Sequence, residues 1–202
     1  MSEEQTHETF FENGSVKTRS RTVDGKIQGL FETFDEEGNI ELKMHYRQGE
    51  LEGEVETFYK KRITAKRNYK ENKLNGLAFV YDKSEAVSAE INYVDGEIHG
   101  PALYYSSGQV TRKVNYKKGE MHGKIQQFSL TQTLIHESTY NDGILDGVTK
   151  IFSGDGILIE VIFYSNGKKD EEESKKANDE LNQNNEEKNN FVVKIGEIFR
   201  GE

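Results

Sequence analysis

Six tyrosines, Tyr46, Tyr69, Tyr93, Tyr116, Tyr140 and Tyr164, recur every 23 or 24 residues, with Thr22 in register ahead of them. A period that short holds one supersecondary unit per copy, so apolar residues must be buried by stacking copies rather than by enclosing a thick core. The composition agrees: 33% of the 202 residues are hydrophobic and 31% are charged, thin material for a large globular interior. Nineteen glycines against one proline, with ten tyrosines and eleven phenylalanines, point to many turns joining aromatic-rich strands.

Three residues after each tyrosine position comes a glycine, and four further on another: Gly25 and Gly29, Gly49 and Gly53, Gly96 and Gly100, Gly119 and Gly123, Gly143 and Gly147. The third copy has Asn72 and Gly76. Asn is the non-glycine residue that best tolerates a left-handed backbone, so the substitution marks a geometric requirement for a tight turn. Between the paired positions stands one aliphatic anchor, Ile27, Leu51, Leu74, Ile98, Met121 or Leu145. Five residues past the second glycine the chain is always aromatic: Phe34, Phe58, Tyr81, Tyr105, Phe128 and Phe152, with Phe10 ahead of them.

A second turn follows, with glycine at Gly14, Gly38, Gly108 and Gly156, and then a strand that alternates, as in Ile40, Leu42, Met44 and Tyr46 inward against Glu41, Lys43 and His45 outward. Each copy therefore reads as a β-hairpin feeding the next. The expected fold is all-β, an elongated, open, single-layer antiparallel meander of about fourteen strands, necessarily twisted. The bounds are an N-terminal extension over 1–7, the repeat domain over 8–167, an acidic polar linker over 168–190 and a C-terminal segment over 191–202 that caps the sheet or binds a partner. The stretch 168–190 has no aromatic or β-branched residue, so it reads as a linker or a frayed polar helix, whereas FVVKIGEIFRG at 191–201 is long enough for one strand.

The YxxGxxxG spacing, the two copies GEIHG and GEMHG, and the turn in YYSSGQV resemble MORN repeats, and more closely the bacterial variant found in YwqK-type antitoxin proteins. The resemblance covers residues 8–167 and rests on repetition rather than on any one copy. It implies an antitoxin or immunity protein that neutralises a cognate toxin by occupying its surface, while the acidic, polar start MSEEQTHETF and the lack of a long apolar run make a soluble cytoplasmic protein the default expectation. The rival reading is a scaffold or membrane-associated module, which would bind anionic vesicles or self-associate through open sheet edges.

No catalytic constellation, cofactor site or metal site emerges. The absence of cysteine removes disulfides, thiolate ligands and thiol nucleophiles, and leaves a reducing compartment open. His99 and His122 occupy equivalent turn positions where other copies carry Gln28, Glu52, Asn75 and Asp146. Strands one hairpin apart lie about 10 Å from each other, too far for both rings to share a tetrahedral ion. FSGDGIL at 152–158 lacks phosphate-loop spacing and precedes a strand.

The formal charge of −9 argues against nucleic acid and favours a basic protein partner, with Glu50, Glu97 and Glu120 steering the encounter. The outward basic column Arg19, Lys43, Lys66 and Lys113 is interrupted by Glu90, Glu137 and Val161, and reads as a solvated sheet face rather than a lipid track. Phe31, Val55, Val80, Tyr104, Ile125 and Ile151 lie on the other face of the first strand of each hairpin: either both faces are partly covered, or these residues form a partner-binding patch with Tyr104 as its anchor. Phe191 and Phe199 are the partner-binding candidates of the C-terminal segment.

Overall fold

The computed structural model describes residues 3–200, with side chains through residue 186. The chain divides into two units, Met1–Glu120 and Met121–Glu202. In chain order the first holds β1 (Glu4–Phe10), β2 (Val16–Val23), β3 (Lys26–Ile27), β4 (Gly29–Phe34), β5 (Ile40–Arg47), β6 (Glu50–Leu51), β7 (Gly53–Tyr59), β8 (Arg62–Lys70), β9 (Lys73–Leu74), β10 (Gly76–Tyr81), β11 (Val87–Val94), β12 (Glu97–Ser106) and β13 (Gln109–Lys117). After β14 (Glu120–Met121) at the division come β15 (Gly123–Phe128), β16 (Leu134–Asn141), β17 (Ile144–Phe152), β18 (Leu158–Ser165), β19 (Lys168–Asp170) and the helix α1 (Glu171–Arg200). Within each unit successive strands pair antiparallel in chain order, the open meander the repeats predict. The four two-residue segments each lead into the strand that follows, so the described residues form fifteen hairpin arms rather than about fourteen. The first arm starts at Glu4, inside the stretch read as an extension, and the last is β19, which completes a seventh turn.

Each YxxG turn is a two-residue hairpin with both central residues left-handed: Asp24 and Gly25 at φ 50° and 76°, Asp95 and Gly96 at 52° and 92°. This is the turn whose twist matches that of the flanking strands. Asn72 takes the same conformation, φ 66°, which confirms the geometric reading of that substitution. The second glycine of each motif also has positive φ, 81° at Gly29 and 109° at Gly147, and marks a bulge. Tyr46 pairs with Leu51 but Leu42 with Thr57, so the bulge adds two residues to the returning strand and leaves its in-out alternation unchanged.

A second bulge does change the alternation. Thr33 pairs with Leu42 and Phe34 with Ile40, skipping Glu41. Ile40 therefore joins Phe34 on the face opposite Leu42, Met44 and Tyr46, which corrects the expected run of four inward residues. The same shift recurs at Thr57/Phe58, Val80/Tyr81, Tyr104/Tyr105, Gln127/Phe128 and Ile151/Phe152.

Stacking leaves only a narrow buried strip, filled by small side chains on the tyrosine face. In the first unit it is Val55, Ala65, Ala78, Ala89, Ala102 and Val114; in the second, Ile125, Ser138 and Thr149. Ala102 sits between Ile91 and Val114 in the register, and its larger neighbours cover it completely. The tyrosines pair with the aliphatic anchors, Tyr46 with Leu51, Tyr69 with Leu74, Tyr93 with Ile98 and Tyr140 with Leu145.

The C-terminal third departs from the sequence reading. Residues 171–200 form one helix, so the strand expected over 191–201 is helical through Arg200. Asp170 caps it, its Oδ1 accepting the Glu173 N–H at 2.9 Å, and the acidic first turn Glu171, Glu172 and Glu173 suits the positive end of the helix dipole. The stretch 171–190 holds six Glu and three Lys, good helix formers, which continue the helix once it is started despite six Asn, and the apolar residues beyond it are carried along.

Candidate binding surface

At five of the six positions before a second glycine, the side chain reaches the turn of the next repeat. Gln28 Oε1 accepts the Gln48 N–H at 2.8 Å, Glu52 Oε2 that of Glu71 at 3.1 Å, and Asp146 Oδ1 that of Asn166 at 3.2 Å. His99 Nδ1 accepts from the Lys118 N–H at 3.4 Å, whereas His122 Nδ1 lies 3.1 Å from Asp142 Oδ1 and 3.4 Å from the Asp142 backbone nitrogen. The residue reached is each time the first left-handed residue of the following turn. What these side chains share is a polar atom that reaches the first left-handed residue of the next turn, an acceptor in Gln28, Glu52, His99 and Asp146, so both histidines join one repeat to the next. A second link runs beside it: the N–H of Gly49, Asn72, Gly96, Gly119, Gly143 and Gly167 donates to the carbonyl of the preceding anchor, Ile27, Leu51, Leu74, Ile98, Met121 and Leu145 respectively, at 2.8–3.1 Å. Asn72 adds its own Oδ1, accepting the Leu51 N–H at 2.8 Å.

The face away from the tyrosines carries the feature that sequence reasoning missed. Glu8 pairs with Arg19, Arg19 with Glu32, Glu32 with Lys43, Lys43 with Glu56, and Glu56 with Lys66, so charge alternates in register across six strands of the first unit. Arg19 reaches Glu8 at 2.7 Å and Glu32 at 3.9 Å; Lys66 reaches Glu56 at 2.7 Å and Glu54 at 3.1 Å; Lys43 stands 4.0 Å from Glu56. Glu32 and Glu56 are largely covered, 13% and 21% exposed, so the ladder is ordered rather than a set of free surface charges. The hydrogen bond from Lys66 holds the Glu56 carboxyl below the usual range, and the same bond, with Glu54, raises the ammonium of Lys66. Arg19 also lies 5.5 Å above the Phe34 ring and Lys43 5.7 Å above that of Phe58, which places the aromatic column on this charged face. The expected basic column is therefore one half of an alternating ladder. A shorter version stands in the second unit, where Glu137 receives Lys124 at 3.0 Å and Gln126 at 2.7 Å; burial works to raise its pKa, but these bonds prevail and lower it.

The individually named candidates fall in different places. Tyr104 is half-buried on the tyrosine face between Ala89 and Arg112 and is hydrogen-bonded to Tyr116, whose phenol is pushed up by burial and by this partner. Phe31, Val55 and Ile125 pair with Met44, Arg67 and Ser138, and Val80, Tyr104 and Ile151 with Ala89, Arg112 and Glu160. Most are covered by neighbours, Val80 being the exposed exception at 36%. Glu50, Glu97 and Glu120 are exposed at the turn margin. Glu50 shares a shallow depression of about 330 Å³ with Lys26, Arg47, Gln48, Glu52 and Glu71, so its charge is locally offset. Phe191 and Phe199 stand in α1 at positions whose side chains lie outside the described residues. Among the described residues no cluster of three or more metal-ligating His, Cys, Asp or Glu side chains occurs, and no helix is long and apolar enough to cross a membrane.

The sheet edge at β18 is closed by α1. Ser174, 3% exposed, accepts the Phe163 N–H at 2.9 Å and donates to the Asp170 carbonyl. Asn178 accepts the Val161 N–H at 2.9 Å and donates to the Val161 carbonyl at 2.8 Å. The edge cap expected of residues 191–201 is thus supplied by residues 170–178, inside the stretch read as a linker.

Compared with known proteins, no curated sequence matches. Among solved structures, a mutant of S. aureus TarM in complex with Fondaparinux, alpha-GlcNAc-glycerol and UDP aligns with a TM-score of 0.35 at 11% identity, over 46% of this chain and 19% of that one. Residues 27–48 and 99–118, which run from an anchor or the residue after it to the next turn, match the family described as MORN repeat variant.

Proposed function

We propose that this chain is a non-catalytic protein-binding module, an antitoxin or immunity protein that neutralises a bacterial toxin by occupying its surface. The observation that carries the reading is the charge ladder: six paired side chains held in a fixed alternation on an open sheet face, a pre-organised surface that offers a partner pattern rather than chemistry. The polar residues that invited a chemical reading, His99 and His122, are engaged in linking repeats. The match to MORN repeat variants supports a binding role, since such repeats are generally protein-binding or membrane-associated modules. The pairing of each ladder cation with a carboxylate favours a protein over an anionic lipid surface.

The test is affinity capture from the native host with the full chain, followed by co-expression of the recovered partner with and without it. A single stoichiometric protein that is toxic alone and harmless in the complex supports the proposal. Recovery of membranes, or of the chain alone, refutes it.

A further inference from the structure

We infer that β1 is a docking edge for an extended, basic segment of a partner protein, which adds a strand to the sheet and places a Lys or Arg opposite Glu8. The inference rests on the binding-module reading and names the surface and the partner chemistry.

Three observations carry it. First, all seven residues of β1, EQTHETF, are exposed, and among the described residues only β2 pairs with this strand. The Asp24 N–H donates to the Glu3 carbonyl at 2.9 Å, which makes Glu3 and Asp24 a hydrogen-bonded pair. Antiparallel alternation then turns the backbone groups of Gln5, His7 and Thr9 toward β2, and points those of Glu4, Thr6 and Glu8 outward. Three consecutive outward donor and acceptor sets are the template that strand addition uses.

Second, the edge carries few obstacles besides the charges of Glu4 and Glu8, which a basic strand would meet favourably. It contains no proline, glycine or lysine, and its pairing with β2 is regular from Glu4 to Thr9. At β18, by contrast, Ser174 and Asn178 fill the outward positions.

Third, the ladder ends at this edge on the wrong charge to stop. Reading outward from β8 the rungs are Lys66, Glu56, Lys43, Glu32, Arg19 and Glu8. Glu8 has a cation on its inner side only, so the next rung calls for a positive charge. A second copy of β1 cannot supply it, because EQTHETF has neither Lys nor Arg. A basic segment of another protein can, and its backbone would pair with Glu4, Thr6 and Glu8 at the same time.

The probe is an acetylated, amidated nonapeptide, STTVRVTTS, compared with STTVEVTTS at millimolar concentration against the full chain. Amide hydrogen exchange is followed at Thr6 and Glu8. The arginine peptide should slow exchange at both amides and bind about tenfold more tightly than the glutamate peptide. Glu8→Lys should reverse that preference. Thr6→Pro should abolish binding of either peptide, and it removes only an outward donor, so the pairing with β2 survives. Unchanged exchange at Thr6 and Glu8 with both peptides, equal binding of both, or a preference that Glu8→Lys leaves intact would each overturn the proposal. So would sedimentation showing that β1 pairs with a second copy. Because the peptide assay needs no partner, a chain that captures its partner through another surface keeps the binding-module reading and loses this one. An edge that takes the peptide on a chain that captures nothing loses only the former.

Discussion

Asn178→Ala should loosen the C-terminal sheet edge by an amount that the hydrogen bonds allow one to work out. Asn178 makes two bonds to Val161, at 2.9 and 2.8 Å, and its amide also donates to the Ser174 carbonyl at 2.7 Å. At about 0.5–1.5 kcal/mol net for each bond to β18, the loss is about 1–3 kcal/mol. Alanine is a better helix former than Asn by about 0.7 kcal/mol, which offsets part of it. The net cost is then about 0.3–2.3 kcal/mol, with a midpoint near 1.3 kcal/mol. Global melting is a poor readout, because a repeat sheet unfolds in parts and the helix itself gains stability. Site-resolved amide exchange separates the two effects. At about 1.4 kcal/mol per tenfold, the Val161 amide should exchange roughly tenfold faster, the Phe163 amide less so while Ser174 still holds it. Adding Ser174→Ala should release Phe163 as well. Unchanged protection at Val161 in the single variant would refute the idea that α1 closes this edge by side-chain bonds.

The remaining expectations concern single positions. Gly147→Ala should destabilise by about 1–3 kcal/mol and more than Gly25→Ala, because φ is 109° and an added Cβ would lie 3.2 Å from that of Thr139, whereas Gly25 faces open space; paired denaturation curves decide it. Thr149→Val should stabilise by about 1 kcal/mol in thermal unfolding, since its buried hydroxyl lacks a hydrogen-bond partner and equivalent positions hold Val55, Ala78 and Ile125. His99→Gln should be nearly neutral because it keeps an acceptor for Lys118, whereas His99→Leu should cost about 0.5–1 kcal/mol; equal melting points would contradict the acceptor role. Glu56 and Glu137 have folded pKa values below the usual 4.5, so their contribution is present above that pH and is lost as pH falls through the lower folded values. Lys66 is raised above 10.5, so its contribution is complete below that pH and disappears only as pH climbs through the folded value. Acid titration of Glu56→Gln should be flatter than that of the unaltered chain.

The turns were legible because their requirement is local. Left-handed backbone at Gly25, Asn72 or Gly96 restricts residue type at that position, whatever lies around it. The ladder was half legible: Arg19, Lys43 and Lys66 share one strand position and stand out as a column, but Glu32 and Glu56 come into line with the cation of the preceding repeat only once the two-residue bulge before each returning strand is known. Ile40 was assigned to the wrong face because the bulge at Glu41 leaves no mark in composition. The return to apolar residues over 191–201 reads as one strand, yet through Arg200 these residues continue a helix already started after Asp170, where nucleation has been met by the preceding residues. Tyr104 stood out as an anchor by residue type, but its register beside Ala89 and Arg112 and its bond to Tyr116 decide how much of it is free.

The bond from each turn to the anchor carbonyl of the repeat before it gives the chain a direction of growth. A hairpin leaving the ribosome finds its acceptor already in place upstream, and its own anchor carbonyl becomes the acceptor for the hairpin still to be made. Assembly can therefore keep pace with synthesis, one hairpin at a time, with no hairpin waiting for sequence not yet translated. Apart from the edge left open at β1, the unsatisfied edge travels with the nascent segment, and synthesis of α1, which supplies Ser174 and Asn178, brings that extension to a stop at β18.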